Sequence, residues 1–153
     1  MTTQNDSAIG EILLKLADIA NCFSGDCHTM HFNVRGVSFD RVHELLKTYY
    51  EQFADDYDRW VELALMFVPI APSTNDSAMR AQWQSVEAKE LHYEEVIEQL
   101  DVIFEAYTHA LNVTSGACTN IGSVLNALQT RLEYWDKERR FFNVRRRTGV
   151  IEV

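Results

Sequence analysis

Apolar positions along this chain fall in long stretches of helical spacing, not in short alternating runs. Ile9, Ile12, Leu13, Leu16, Ile19, Ala20 and Phe23 recur at steps of three and four, which predicts a helix over 7–33 with one buried stripe. Gly25 falls inside it and weakens it. A second run, over 39–67, contains no Gly or Pro and also carries apolar residues at steps of three and four. Ser38 or Asp40 caps its start, and Pro69 and Pro72 mark its end. A short helix over 78–83 and two long ones over 86–111 and 118–144 complete the set. The pattern predicts one all-α domain, 1–153, built as a four-helix bundle. The long connection between its second and third long helices is the crossover needed where two neighbours run parallel.

Composition agrees and adds limits. The 153 residues hold 6 Gly and 2 Pro, and both Pro lie in VPIAPSTNDS, the clearest break in the chain. The hydrophobic share of 46% is ordinary for a globular protein with a real core. No apolar span is long enough to cross a membrane and no basic-then-apolar leader is evident, so the expected location is the cytoplasm. Cys22, Cys27 and Cys118 make an odd set that fits reduced, buried thiols, and CFSGDCH is a poor zinc motif because its two thiols point to different helix faces.

Candidate chemistry concentrates between His31 and Glu62. His43 and Lys47 are four apart on the second long helix, as are Asp58 and Glu62, so each pair shares a face. Lys47 and Asp58 are close to three whole turns apart, which puts both pairs on nearly one stripe. His43 and Asp58 are nonetheless about 22 Å apart along the axis at 1.5 Å per residue, too far for one ion. Two copies packed antiparallel about a two-fold axis near Tyr50 and Glu51 would bring the His43 end of one to the Asp58 end of the other. Read alone, each His is a hydrogen-bonded helix histidine, Asp58 and Glu62 form a solvated acidic face with Asp55 and Asp56, and Lys47 pairs with Glu51. His28, His92 and His109 are assigned to structure, His92 as an exposed helix residue among glutamates. The two Glu-x-x-His steps of a conventional intrabundle di-iron site are absent.

The pattern His31, His43, Asp58, Glu62, with HFNVRG and VHELL around it, resembles the ferroxidase signature of the Dps family, the mini-ferritins of starved or stressed bacteria. The resemblance is strong over 12–65 and weaker over 91–142. It implies a ferritin-like four-helix bundle and a homo-oligomer, a dodecamer with metal sites shared across two-fold axes. It also implies Fe2+ oxidised to Fe3+, mainly by hydrogen peroxide, with storage of the product and protection against oxidative damage. By that resemblance His31, Asp58 and Glu62 hold the first iron and His43 keeps half of the second site. The short crossover helix contributes to the dimer contact, with Met79 and Trp83 as its apolar side. Two positions depart from the family: Lys47 stands where an Asp ligand is expected, and Phe32 where the family has Trp.

Charge bears on partners. The formal net charge is −9, and twelve copies multiply it. Such a surface is repelled by DNA unless a basic arm reaches out. MTTQNDS has no Lys or Arg; the basic residues cluster at Lys137, Arg139, Arg140 and Arg145–Arg147, the last three opening a short basic C-terminal tail, 145–153. DNA binding is therefore disfavoured. TSGACTNIGSVLNALQT also lacks the carboxylates with which family members line an iron-entry pore. Three function classes follow: a Dps-like ferroxidase and iron store, a Dps-like structural or scaffold shell with oxidation impaired by Lys47, and an unrelated four-helix binding module.

Overall fold

The computed structural model describes residues 4–36 and 39–147. Four long helices form the bundle: α1 (Gln4–Asn33), α2 (Phe39–Ala64), α4 (Tyr93–Ala117) and α5 (Gly122–Arg147). A short α3 (Ser77–Ala81), entered through a 3₁₀ turn at Thr74–Asp76, lies in the crossover between α2 and α4. α1 packs most extensively on α2, α4 packs on α5, and α1 also meets α3 and α4. No described helix is long and apolar enough to cross a membrane.

The buried stripe of α2 follows helical spacing through Tyr49, Phe53, Asp56 and Trp60, and α5 answers with Val124, Leu128, Arg131 and Trp135. Phe53 and Trp135 stack with centroids 4.1 Å apart. Each stripe carries one charged residue at a core position. Asp56 is 0% exposed, and its carboxylate pairs with the Arg131 guanidinium at 2.5 Å. It also accepts hydrogen bonds from Tyr107 Oη and Trp135 Nε1, both at 2.7 Å. Trp60 Nε1 donates to Tyr107 Oη at 2.8 Å, and Arg131 donates to Gln52 at 3.0 Å. Burial, then the Asp56 charge, pushes the Tyr107 phenol well above its ordinary range, so it stays a donor. The expected solvated face at Asp55 and Asp56 is thus corrected for Asp56: the aromatic neighbours that bury it come from α4 and α5, far away in sequence.

Two buried aspartates of α1 hold the crossover down. Asp18 accepts from Arg80 through two bonds of 2.8 Å and from Ser77 Oγ at 2.9 Å. Asp26 accepts from Trp83 Nε1 at 2.7 Å and from the Val86 N–H at 3.0 Å. Trp83 therefore turns inward, its ring 4.9 Å from Phe23, while Met79 stays 73% exposed. The two do not share one apolar side.

Element limits differ from expectation in every helix, most of all at the end of α2 and the start of α4. α2 stops at Ala64, before the prolines, and the chain turns so that Val68 lies over Gly10 of α1. Asp40 falls inside the first turn of α2, and Ser38, the other cap candidate, lies outside the described residues. Residues 86–92 are not helical: Leu91 bridges Val34, with Arg35 N–H donating to Leu91 O at 2.8 Å and Leu91 N–H to Asn33 O at 3.0 Å. α4 starts only after His92, whose N–H donates to Glu95 at 3.4 Å, so His92 caps the helix instead of standing within it. α4 then runs through Gly116. The arginines at 145–147 continue α5, and residues 148–153 of the expected tail lie outside the described residues.

Candidate functional site

His31 lies in the last turn of α1 and His43 in the second turn of α2, and the end of the one helix packs against the start of the other. Their rings stack with centroids 3.5 Å apart and planes 20° apart. His31 Nδ1 lies 2.8 Å from His43 O, and His43 Nδ1 lies 2.8 Å from His31 O. A carbonyl oxygen only accepts, so both Nδ1 atoms carry hydrogen, and in the neutral form of each ring Nε2 holds the lone pair. A backbone-tied imidazole with a fixed tautomer is the form in which histidine binds metal. His31 is 7% exposed. Burial first, then the neighbouring imidazoles of His43 and His28, lowers its pKa, while the bond to the His43 carbonyl opposes them. The ring is therefore neutral and available at neutral pH.

A run of rings surrounds the pair. Phe39 stacks on His43 at 4.9 Å. Tyr50 meets His31 edge-on at 5.2 Å and stacks on His28 at 4.1 Å. His28 in turn stacks on Phe32 at 4.6 Å. His28 and Tyr50 thus pack against the imidazole pair, whereas from sequence His28 was assigned to structure and Tyr50 marked only the two-fold axis. The spacing held the signal: His28 is three residues before His31, and Tyr50 is seven after His43, two turns along one face.

Lys47 is exposed one turn beyond His43 and makes no ion pair with Glu51 or another described residue. Asp58 and Glu62 are exposed on later turns of α2, about 22 Å and about 28 Å along the axis from His43. Among the described residues no three His, Cys, Asp or Glu side chains of one chain converge on a metal position. The chain therefore presents an imidazole pair at one end of this region and a carboxylate pair at the other, both donor types that suit Fe2+ in general. Neither pair fits an ion alone.

The remaining candidates fall away from this region. His109 is exposed on α4. Cys22, Cys27 and Cys118 are buried and free, and burial raises all three thiols, Cys22 to about 11, which leaves them unreactive.

No family model matches the sequence, and no curated protein does. Solved structures do match in fold. The antigen TpF1 from Treponema pallidum superposes with a TM-score of 0.85 at 20% identity, covering 93% of each chain. The Dps92 protein of Deinococcus radiodurans gives 0.85 at 16% identity, over 94% of this chain and 88% of that one. A Dps protein from Bacillus brevis gives 0.83 at 18% identity, over 94% and 98%. At these identities the similarity establishes the fold: this chain has the ferritin-like bundle of the Dps proteins.

Proposed function

We infer that the chain is a Dps-type protein that oxidises and stores iron at sites shared between two-fold-related protomers. His31 Nε2 of one protomer and the partner's Asp58 and Glu62 bind Fe2+, the substrate, and His43 Nε2 adds a donor beside it. The observation that carries the reading is the reciprocal His31–His43 arrangement, which aims two lone pairs away from the backbone while no carboxylate of the same chain converges on them. An antiparallel pair about an axis near Tyr50 and Glu51 makes this site twice, and a closed shell of six such pairs, twelve chains in Dps-type assembly, would hold the ferric product.

Lys47 sets the limit of the chemistry. An ammonium has three donors and no lone pair. At about 4 Å and an effective dielectric near 20, it opposes a second divalent ion by about 8 kcal/mol. Lys47 pairs with the partner's Asp58 or Glu62 and takes the place of the second iron, so oxidation runs on one iron at a time with hydrogen peroxide as oxidant. The same exposed, unpaired ammonium favours a second reading, a Dps-like shell whose role is structural. Two measurements test the proposal: the mass of the assembly against twelve 17.7 kDa chains, and ferrous oxidation with peroxide in the parent and in His31→Ala. A dodecamer whose oxidation is lost in the variant supports the reading. A monomer overturns it, and a dodecamer oxidising iron no faster than buffer leaves the scaffold. DNA binding is no part of this function, given the net charge of −9, and a retarded band in low salt would contradict that.

A further inference from the structure

A cavity of about 510 Å³ opens between α1 and the crossover. Leu14, Ile19, Pro72 and Ala81 give it apolar walls, and Lys15 and Arg80 are its cations. A smaller slot of about 120 Å³ shares Ile19 and Ala81 with it and is lined further by Phe23, Trp83 and Ala106, so the apolar lining continues inward past that pair. The larger cavity has the size of small-molecule sites, about 300–1,000 Å³, and their make-up of apolar walls with a few polar groups. Neither His31 and His43 nor Asp58 and Glu62 line it.

Its polar groups are unequally engaged. Both oxygens of Asp18, which also lines the cavity, are taken: Oδ1 by Ser77 Oγ and Arg80 Nη2, and Oδ2 by Arg80 Nε. Arg80 Nη2 donates to Ser73 O as well, at 2.6 Å, whereas Nη1 donates to no described residue. The guanidinium is thus held in place with one edge free, its side chain 28% exposed. Lys15 is exposed on α1 and makes no ion pair among the described residues. Glu11 sits one turn before Lys15 and offsets part of its charge, so the surplus of free donors lies at Arg80. A fixed guanidinium edge and an ammonium beside an apolar recess match a molecule with a hydrocarbon body and an anionic head. We propose that this recess binds an aliphatic carboxylate. Its head lies on Arg80 Nη1 and Lys15 Nζ, and its chain runs between Leu14 and Pro72 past Ile19 and Ala81 toward Trp83. Such a ligand joins α1 to the crossover, the two elements that Asp18 and Arg80 already clasp. The inference does not depend on the iron reading.

The test uses the assembled full-length protein and four probes: decanoate, decanol, decylamine and acetate, each below any concentration at which it forms micelles. Calorimetry gives the affinity and the number bound, and tryptophan fluorescence reports on the Trp83 end. The expected result is one decanoate per chain, with decanol and decylamine weaker by about tenfold or more, since the head's bonds to charged donors are lost. Acetate, which has no chain to bury, does not bind. Lys15→Gln, a change on an exposed helix face, weakens decanoate by about tenfold and leaves decanol unchanged. Ala81→Leu narrows the passage and abolishes binding of both, with thermal unfolding as the check that it folds. Decanol binding as tightly as decanoate, decylamine binding more tightly, or decanoate unaffected by Lys15→Gln overturns the anionic head. Binding of none of the four overturns the site, which is the outcome if a second copy of the chain fills the recess.

Discussion

Replacing Asp56 by Ala removes the carboxylate on which Arg131, Tyr107, Trp135 and, from the next turn of α2, Arg59 converge. Arg131 is left with a side chain only 11% exposed and no anion, and the Tyr107 hydroxyl and Trp135 indole lose their acceptor. Removing one partner of a buried ion pair costs about 3–5 kcal/mol. An orphaned buried donor costs about 1–3 kcal/mol more, not additively, because the groups share one network. For a domain of this size the ion-pair loss alone lowers the thermal midpoint by about 6–20 °C. The assay is thermal and denaturant unfolding at one fixed protomer concentration, since assembly contributes to apparent stability. The informative partner is Arg131→Met, alone and combined with Asp56→Leu. The double variant removes both charges and keeps the volume filled, so it should recover most of what Asp56→Ala loses. An Asp56→Ala loss below about 1 kcal/mol, or a double variant no more stable than either single one, would refute the claim that this pair is desolvated and mutually dependent.

Three further outcomes are expected. Lys47→Asp should raise iron bound per site from one to two and speed oxidation by about tenfold or more, since each 1.4 kcal/mol of repulsion removed is tenfold in affinity; metal analysis and stopped-flow absorbance check it, and an unchanged rate sinks the account of that position. Gly10→Ala places a Cβ 2.5 Å from Val68 Cγ1 and 3.2 Å from Phe67 Cβ. Overpacking of about 1–3 kcal/mol should outweigh a helix-propensity gain of about 1 kcal/mol, and Val68→Ala should restore stability. Burial raises the Asp26 carboxyl above its ordinary 3.8, against its hydrogen bonds from Val86 and Trp83. Just above that pH the folded state holds a proton the unfolded chain has lost, so this contribution to stability falls as pH rises through the window. Asp26→Asn should flatten that falling limb in pH-dependent unfolding, and identical pH profiles would contradict it.

The bundle was legible because its signals are local. Periodicity marked each long helix, and the run of turn residues around Pro69 and Pro72 marked the crossover. Helix limits were less legible where tertiary contacts decide them. EAKELH reads as helix, yet pairing of Leu91 with Val34 holds those residues extended until His92 caps α4. Asp56 read as part of a solvated face because the Tyr107, Arg131 and Trp135 groups that satisfy it come from 51 to 79 positions away. At the site, spacing separated His43 from Asp58 and Glu62, while His31 was grouped with them only by the family resemblance. It did not convey the reciprocal carbonyl bonds to both Nδ1 atoms, because those depend on how the end of α1 packs against the start of α2.

The central claim is that imidazoles of one protomer and carboxylates of another share an iron. Anomalous diffraction at the iron edge, on crystals soaked in ferrous iron, tests it most directly. The account predicts one strong peak per site, within bonding distance of His31 Nε2 and of the partner's Asp58 and Glu62, with Lys47 Nζ where a second ion would lie. Two fully occupied peaks contradict the role of Lys47; no peak between the histidine and carboxylate ends contradicts the shared site itself.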